Sequence, residues 1–140
     1  MLPQPEEYYS YPMSERALKA EDKSAAASIF VDDPARWPYF SGERVKLRGQ
    51  KDNPGIYGIN HKGAFVELVA TRGNIEISWQ DKATGNRQMA TLTPTEPVFL
   101  PATIVTDEFK FSSEEEAEFY VFWYPQKPAM STHIVSAESF

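Results

Sequence analysis

The chain has 140 residues, 41 % of them hydrophobic, which is enough for one core and too little for two domains of ordinary size. Its 20 acidic against 14 basic residues give a net charge of -6, which works against a phosphate-binding surface and sets nucleic acid aside as a partner. Zero cysteines exclude disulfides and thiolate chemistry, two histidines leave little for a histidine-rich metal centre, and 14 % aromatic residues argue for a folded chain.

From the N-terminus, Pro3, Pro5, Pro12, Pro34 and Pro38 divide the first 40 or so residues. Only one gap is long enough for a helix. Ser14 suits an N-cap, and Glu15 to Lys23 follows with good helix formers and a thin stripe of Ala17, Leu18 and Ala20, so the spacing predicts a short helix in an N-terminal arm, residues 1–43. No run reaches the ~18 apolar residues of a membrane span, and Met1 to Glu7 lacks the basic start and apolar run of a secretory signal. The expectation is a soluble, cytoplasmic protein with no membrane partner.

From Arg44 the pattern changes to short β-branched and aromatic runs. They are Val45 to Arg48, Gly55 to Ile59, Ala64 to Val69, Asn74 to Trp79, Arg87 to Leu92, Val98 to Leu100, Val105 to Phe111 and Glu118 to Tyr124. Turn residues separate them, notably Thr71-Arg-Gly-Asn and Lys82-Ala-Thr-Gly-Asn-Arg, which read as hairpins. Short, evenly spaced strands without helical crossovers predict an all-β antiparallel sandwich or barrel over residues 44–125, with 126–140 as a tail. The run Phe119-Tyr-Val-Phe-Trp-Tyr is apolar on both faces, and this asks for cover on both sides and suggests a homodimer.

The most informative stretch is Gly55-x5-His61-x-Gly63-x3-Glu67-x5-Gly73. If the strand were continuous, the even spacing would put His61 and Glu67 on one face, with Tyr57, Ile59 and Phe65 beside them. Glu67 lies inside the apolar run Phe65-Val-Glu-Leu-Val, so it must either face water or be paired. His61 has two readings: a hydrogen-bonded structural histidine, or a general acid or base oriented by the carboxylate. Arg48 could bring a cation to the same cavity. Trp79 continues Ile75 and Ile77 at period two and is explained by core packing as well as by a ligand. The strand Val105 to Phe111 leaves a conflict open over which face points inward, that of Val105, Phe109 and Phe111 or that of Thr106 and Lys110.

This stretch resembles the first motif of the cupins, G-x5-H-x-H-x3-4-E-x6-G, with Gly55, His61 and Glu67 on it, Gly63 in place of the second histidine and Gly73 one residue early. Thr95-x5-Pro101-x-Thr103-x2-Thr106-x3-Lys110 would occupy the second motif, G-x5-P-x-G-x2-H-x3-N, and retains only Pro101. The resemblance implies a cupin-type β-barrel, or jelly roll. It also implies that two of the usual four metal ligands are lost, to Gly63 and Thr106, so no metal and no cofactor are expected.

Two functions remain open. One is a metal-independent enzyme acting on a small organic molecule by proton transfer, of isomerase, cyclase or lyase type. In it His61 and Glu67 are catalytic, and Arg48, Tyr57, Phe65, Trp79 and Thr106 bind the ligand. The other is a non-catalytic small-molecule-binding or structural cupin that has lost its metal.

Overall fold

The computed structural model describes residues 17–21, 24–31, 40–61, 65–123 and 131–134. Within these the chain is all-β: β1 (Ala17–Glu21), β2 (Ala25–Val31), β3 (Ser41–Arg48), β4 (Gly55–Asn60), β5 (Val66–Arg72), β6 (Ile75–Gln80), β7 (Arg87–Leu92), β8 (Val98–Leu100), β9 (Phe109–Ser113), β10 (Glu116–Trp123) and β11 (Ser131–Ile134). They form two sheets, ordered β1-β2-β3-β10-β5-β8 and β11-β4-β9-β6-β7, and every pairing is antiparallel. This is the expected jelly roll.

Alternation builds the barrel. Val45 and Leu47 of β3, Val66, Leu68 and Ala70 of β5, and Ala117, Phe119 and Val121 of β10 face inward from one sheet. Tyr57 and Ile59 of β4, Ile75 and Ile77 of β6, and Phe109 and Phe111 of β9 face them from the other, so a single core lies between the sheets. Phe111 and Phe119 stack across the gap with ring centroids 5.0 Å apart. Of the two expected hairpins, Lys82 to Arg87 forms and joins the paired β6 and β7, whereas the turn Thr71 to Asn74 carries the chain from β5 in one sheet to β6 in the other. Gly73 and Gly85 take positive φ values of 77° and 75°, where a side chain is unfavourable.

The helix expected after Ser14 does not form over Ala17–Glu21, which is instead β1, paired with β2. A stripe of two alanines and one leucine gives a helix almost nothing to pack, whereas a strand here satisfies its backbone against β2. Residues 14–16 and 22–23 of that expectation lie outside the described residues. The stretch expected as an arm thus contributes β1, β2 and the start of β3 to the larger sheet, and the expected tail contributes β11, paired with β4.

The conflict at Val105 to Phe111 is resolved by a later strand start. Residues 104–108 are loop, with Val105 exposed and its carbonyl accepting from the Lys82 amide, and β9 begins only at Phe109. Phe109 and Phe111 then face inward and Lys110 outward.

Candidate functional site

Three of the buried polar residues gather toward one end of the barrel. Ser41, Glu43 and His61 are buried, Glu43 at 3 % and His61 at 4 % exposure. Period two along β3 places Ser41 and Glu43 on the face of Val45 and Leu47, and along β4 it places His61, just past the strand, on the face of Tyr57 and Ile59. In register, Ser41 pairs with Trp123 and Glu43 with Val121 on β10, while Ile59 pairs with Phe109 on β9.

Tyr57 comes from one sheet and Glu43 from the other. The Tyr57 hydroxyl donates to Glu43 Oε2 at 3.3 Å, a buried hydrogen bond that bridges the sheets. A carboxylate is costly inside an apolar barrel, and a phenol donor offsets part of that cost. His61 Nε2 lies 2.9 Å from the Ile104 carbonyl oxygen. A carbonyl can only accept, so Nε2 carries the hydrogen, and the loop after β8 fixes the orientation of the ring. The ring also rests against Phe109, with centroids 5.0 Å apart.

The expected His61–Glu67 pair is not formed. Glu67 is exposed on the outer face of β5, between the buried Val66 and Leu68. Even spacing fixes a common face only along one continuous strand, and here His61 follows β4 in one sheet while Glu67 belongs to β5 in the other. Phe65 leaves the interior for the same reason and stacks on Phe99 at 5.1 Å.

Of the other expected ligand residues, Tyr57 alone is inside. Arg48 is exposed on the outer face of β3, where it lines a groove of about 310 Å³ with Lys46, Arg72 and Glu118. Trp79 is half-buried and meets Phe109 edge-on at 5.3 Å. Thr106 sits in the loop before β9, where its hydroxyl bonds the Glu108 backbone. Trp79 and Thr106 share a cleft of about 190 Å³ with Arg87 and Glu108.

Sequence reasoning missed Glu43. Its signal is the alternation Ser41-x-Glu43-x-Val45-x-Leu47, which becomes visible once the strand is begun at Ser41 instead of Val45.

No protein-family model matches the sequence, and no curated protein does. Solved structures do match. An oxalate oxidase in complex with the substrate analogue glycolate superposes with a TM-score of 0.62 at 16 % identity, over 89 % of this chain and 62 % of that one. Peruvianin-I from Thevetia peruviana latex, described as a cysteine peptidase, gives 0.61 at 17 % identity, over 96 % and 83 %. The oxalate decarboxylase of Bacillus subtilis, a protein with Mn(II) centres, gives 0.57 at 10 % identity, over 76 % of this chain and 27 % of that one. The chain thus spans about a quarter of the decarboxylase. The fold is that of the cupins.

A cupin metal does not fit the residues present. Gly63 and Thr106 stand where ligands belong, Glu67 points out of the barrel, and the Nε2 of His61 donates to a backbone carbonyl. Among the described residues no three His, Cys, Asp or Glu side chains come together to hold an ion.

Proposed function

We propose that this cupin binds a small organic molecule at the barrel end bearing Ser41, Glu43, Tyr57 and His61, and that it holds the molecule by hydrogen bonds from side chains instead of a metal. The observation that carries this reading is the buried Glu43 carboxylate that accepts from Tyr57 across the sheets. A carboxylate offers about four acceptor sites, so a hydroxyl or amine of a ligand can join the phenol there. Small-molecule sites are of this kind, apolar walls with a few polar groups.

Saturation-transfer NMR against a library of small polyols, amines and hydroxy acids tests it. Binders are expected whose signal is lost in Tyr57→Phe and Glu43→Gln and kept in Glu67→Gln. A library without binders, or binding indifferent to Tyr57 and Glu43, would overturn it.

A second reading makes the site catalytic by proton transfer, and the phenol–carboxylate contact favours it. It replaces the His61–Glu67 pair with Tyr57 and Glu43, the phenol giving a proton to the ligand as the carboxylate accepts one. Conversion of a library binder whose turnover at saturation falls by about 10²–10⁴-fold in Glu43→Gln, beyond the weakening of its binding, separates catalysis from binding alone.

A further inference from the structure

Each sheet ends in edge strands, whose outward backbone groups are a template for another strand. Three of the four edges are poor templates. β1 carries a register shift between Leu18 and Ala20, β8 has three residues set between Pro97 and Pro101, and β11 has four residues. The fourth edge, β7, pairs with β6 in unbroken register over six residues and contains neither proline nor lysine.

The hairpin before β7 fixes which of its groups are open. The Asp81 amide donates to the Asn86 carbonyl at 2.9 Å, which makes these two a hydrogen-bonded pair in the register of β6 and β7. Such pairs alternate along an antiparallel ladder, so Gln88, Ala90 and Leu92 bond to β6, whereas Met89 and Thr91 turn N–H and C=O to the open edge. Neither makes another hydrogen bond to a described residue. Both are exposed, Met89 at 58 %.

Register decides the occupant. Two copies related by a two-fold axis normal to the sheet pair antiparallel, and residues opposite one another then share a face. A dyad at Gln88 or Ala90 would oppose groups that already bond to β6. A dyad at Arg87 would set two guanidinium groups opposite each other, and one at Thr91 would carry the pairing into the turn at Thr93 and Glu96. With the dyad at Met89, the two Met89 residues exchange both backbone bonds, Thr91 faces Arg87 on either side, and Gln88 faces Ala90 on the inner face. No like charges are opposed. Arg87 keeps its bond to Ser78 at 3.2 Å, and Glu76, opposite Thr91 on β6, stands in the same row as Arg87 of the second copy, with the opposite charge. The strand is its own complement. We propose that β7 is the surface through which this chain pairs with a second copy of itself, joining the two smaller sheets into one continuous sheet about a dyad at Met89. A ladder of this length is at the small end of specific interfaces, so the association is weak, with a Kd of about 10–100 µM.

Sedimentation equilibrium and a ¹H–¹⁵N NMR dilution series of the full chain, from about 10 µM to about 1 mM, test this pairing. A monomer–dimer equilibrium is expected, with concentration-dependent shifts centred on the amides of 87–91. Met89→Lys is expected to weaken dimerisation by about tenfold or more, because it opposes two ammonium groups at the dyad while making the chain less negative, so that general repulsion falls. Met89→Leu keeps the dimer. Since Met89 is exposed, both variants keep the fold. A peptide of residues 86–93 is expected to shift the same amides and a scrambled peptide is not, since the register rests on the order of the side chains. The proposal is overturned by a monomer at the highest concentration, by equal dimerisation of parent and Met89→Lys, by shifts confined to other strands such as β10, or by equal binding of the scrambled peptide, which would make the edge a general acceptor of extended chains.

Discussion

Tyr57 reaches across the barrel to Glu43, and a phenylalanine in its place keeps the ring while removing the donor. Tyr57→Phe is expected to cost about 1–3 kcal/mol in urea unfolding, the cost of depriving a buried carboxylate of a partner. Glu67→Gln, on the outer face, is expected to stay within about 0.5 kcal/mol of the parent, and a larger loss would place Glu67 inside. Glu118 carries a pH-dependent contribution. Burial pushes its carboxyl up, but the hydrogen bond and charge of Arg44, the Thr71 hydroxyl and the charge of Lys46 outweigh this and hold it below the ordinary 4.5. The folded state therefore favours the charged form, so the stabilisation is complete above the unfolded pKa and disappears as pH falls through the folded one. The parent should exceed Glu118→Gln by up to about 1 kcal/mol near neutral pH. That gap should narrow in urea titrations as pH falls below the ordinary 4.5, and a gap constant down to acid pH would contradict the assignment.

Strands that combine alternation with bounding turns were legible in the sequence: Arg87–Leu92 and Val98–Leu100 occur as read, three others differ by one or two residues at an end, and β5 starts two residues later and ends three later than expected. Those built on small residues were not. Alanines at 17, 20 and 25–27 carry no period-two signal, and β1 and β2 exist because β3 offers them an edge. The site failed at the same level. Parity does not hold across the passage from β4 to β5, where the chain changes sheets, so the carboxylate inside the barrel is Glu43 and not Glu67. The two glycine turns offer a graded test. At Gly85 an added Cβ would meet nothing within 4 Å, whereas at Gly73 it would lie 2.8 Å from the Glu116 carbonyl. Gly85→Ala should therefore cost about 1–2 kcal/mol from its left-handed backbone alone, and Gly73→Ala more, as measured by thermal unfolding.

For the molecule as a whole, the cupin fold was legible from the order of one motif and the short strands after it, while the departures from that motif leave two of its four ligand positions without a metal-binding side chain. A site with micromolar affinity for Mn²⁺ would stabilise the protein by about 4 kcal/mol at millimolar metal. Millimolar Mn²⁺ is accordingly expected to leave the melting temperature within about 1 °C, and a rise of several degrees would require ligands beyond His61.

The central strand pair of the larger sheet joins distant parts of the chain, with a sequence separation of 74 between Arg44 and its ion-pair partner Glu118. During synthesis at about 5–20 residues per second, β3 emerges roughly 4–15 s before β10 can close on it. For that interval Val45 and Leu47, with Ala25 and Ala27 beside them on β2, form an apolar ribbon with an open edge. The nascent chain therefore has its greatest need of a chaperone before its C-terminal third has been made, and a ribosome stalled near residue 100 would expose that ribbon to any neighbouring strand.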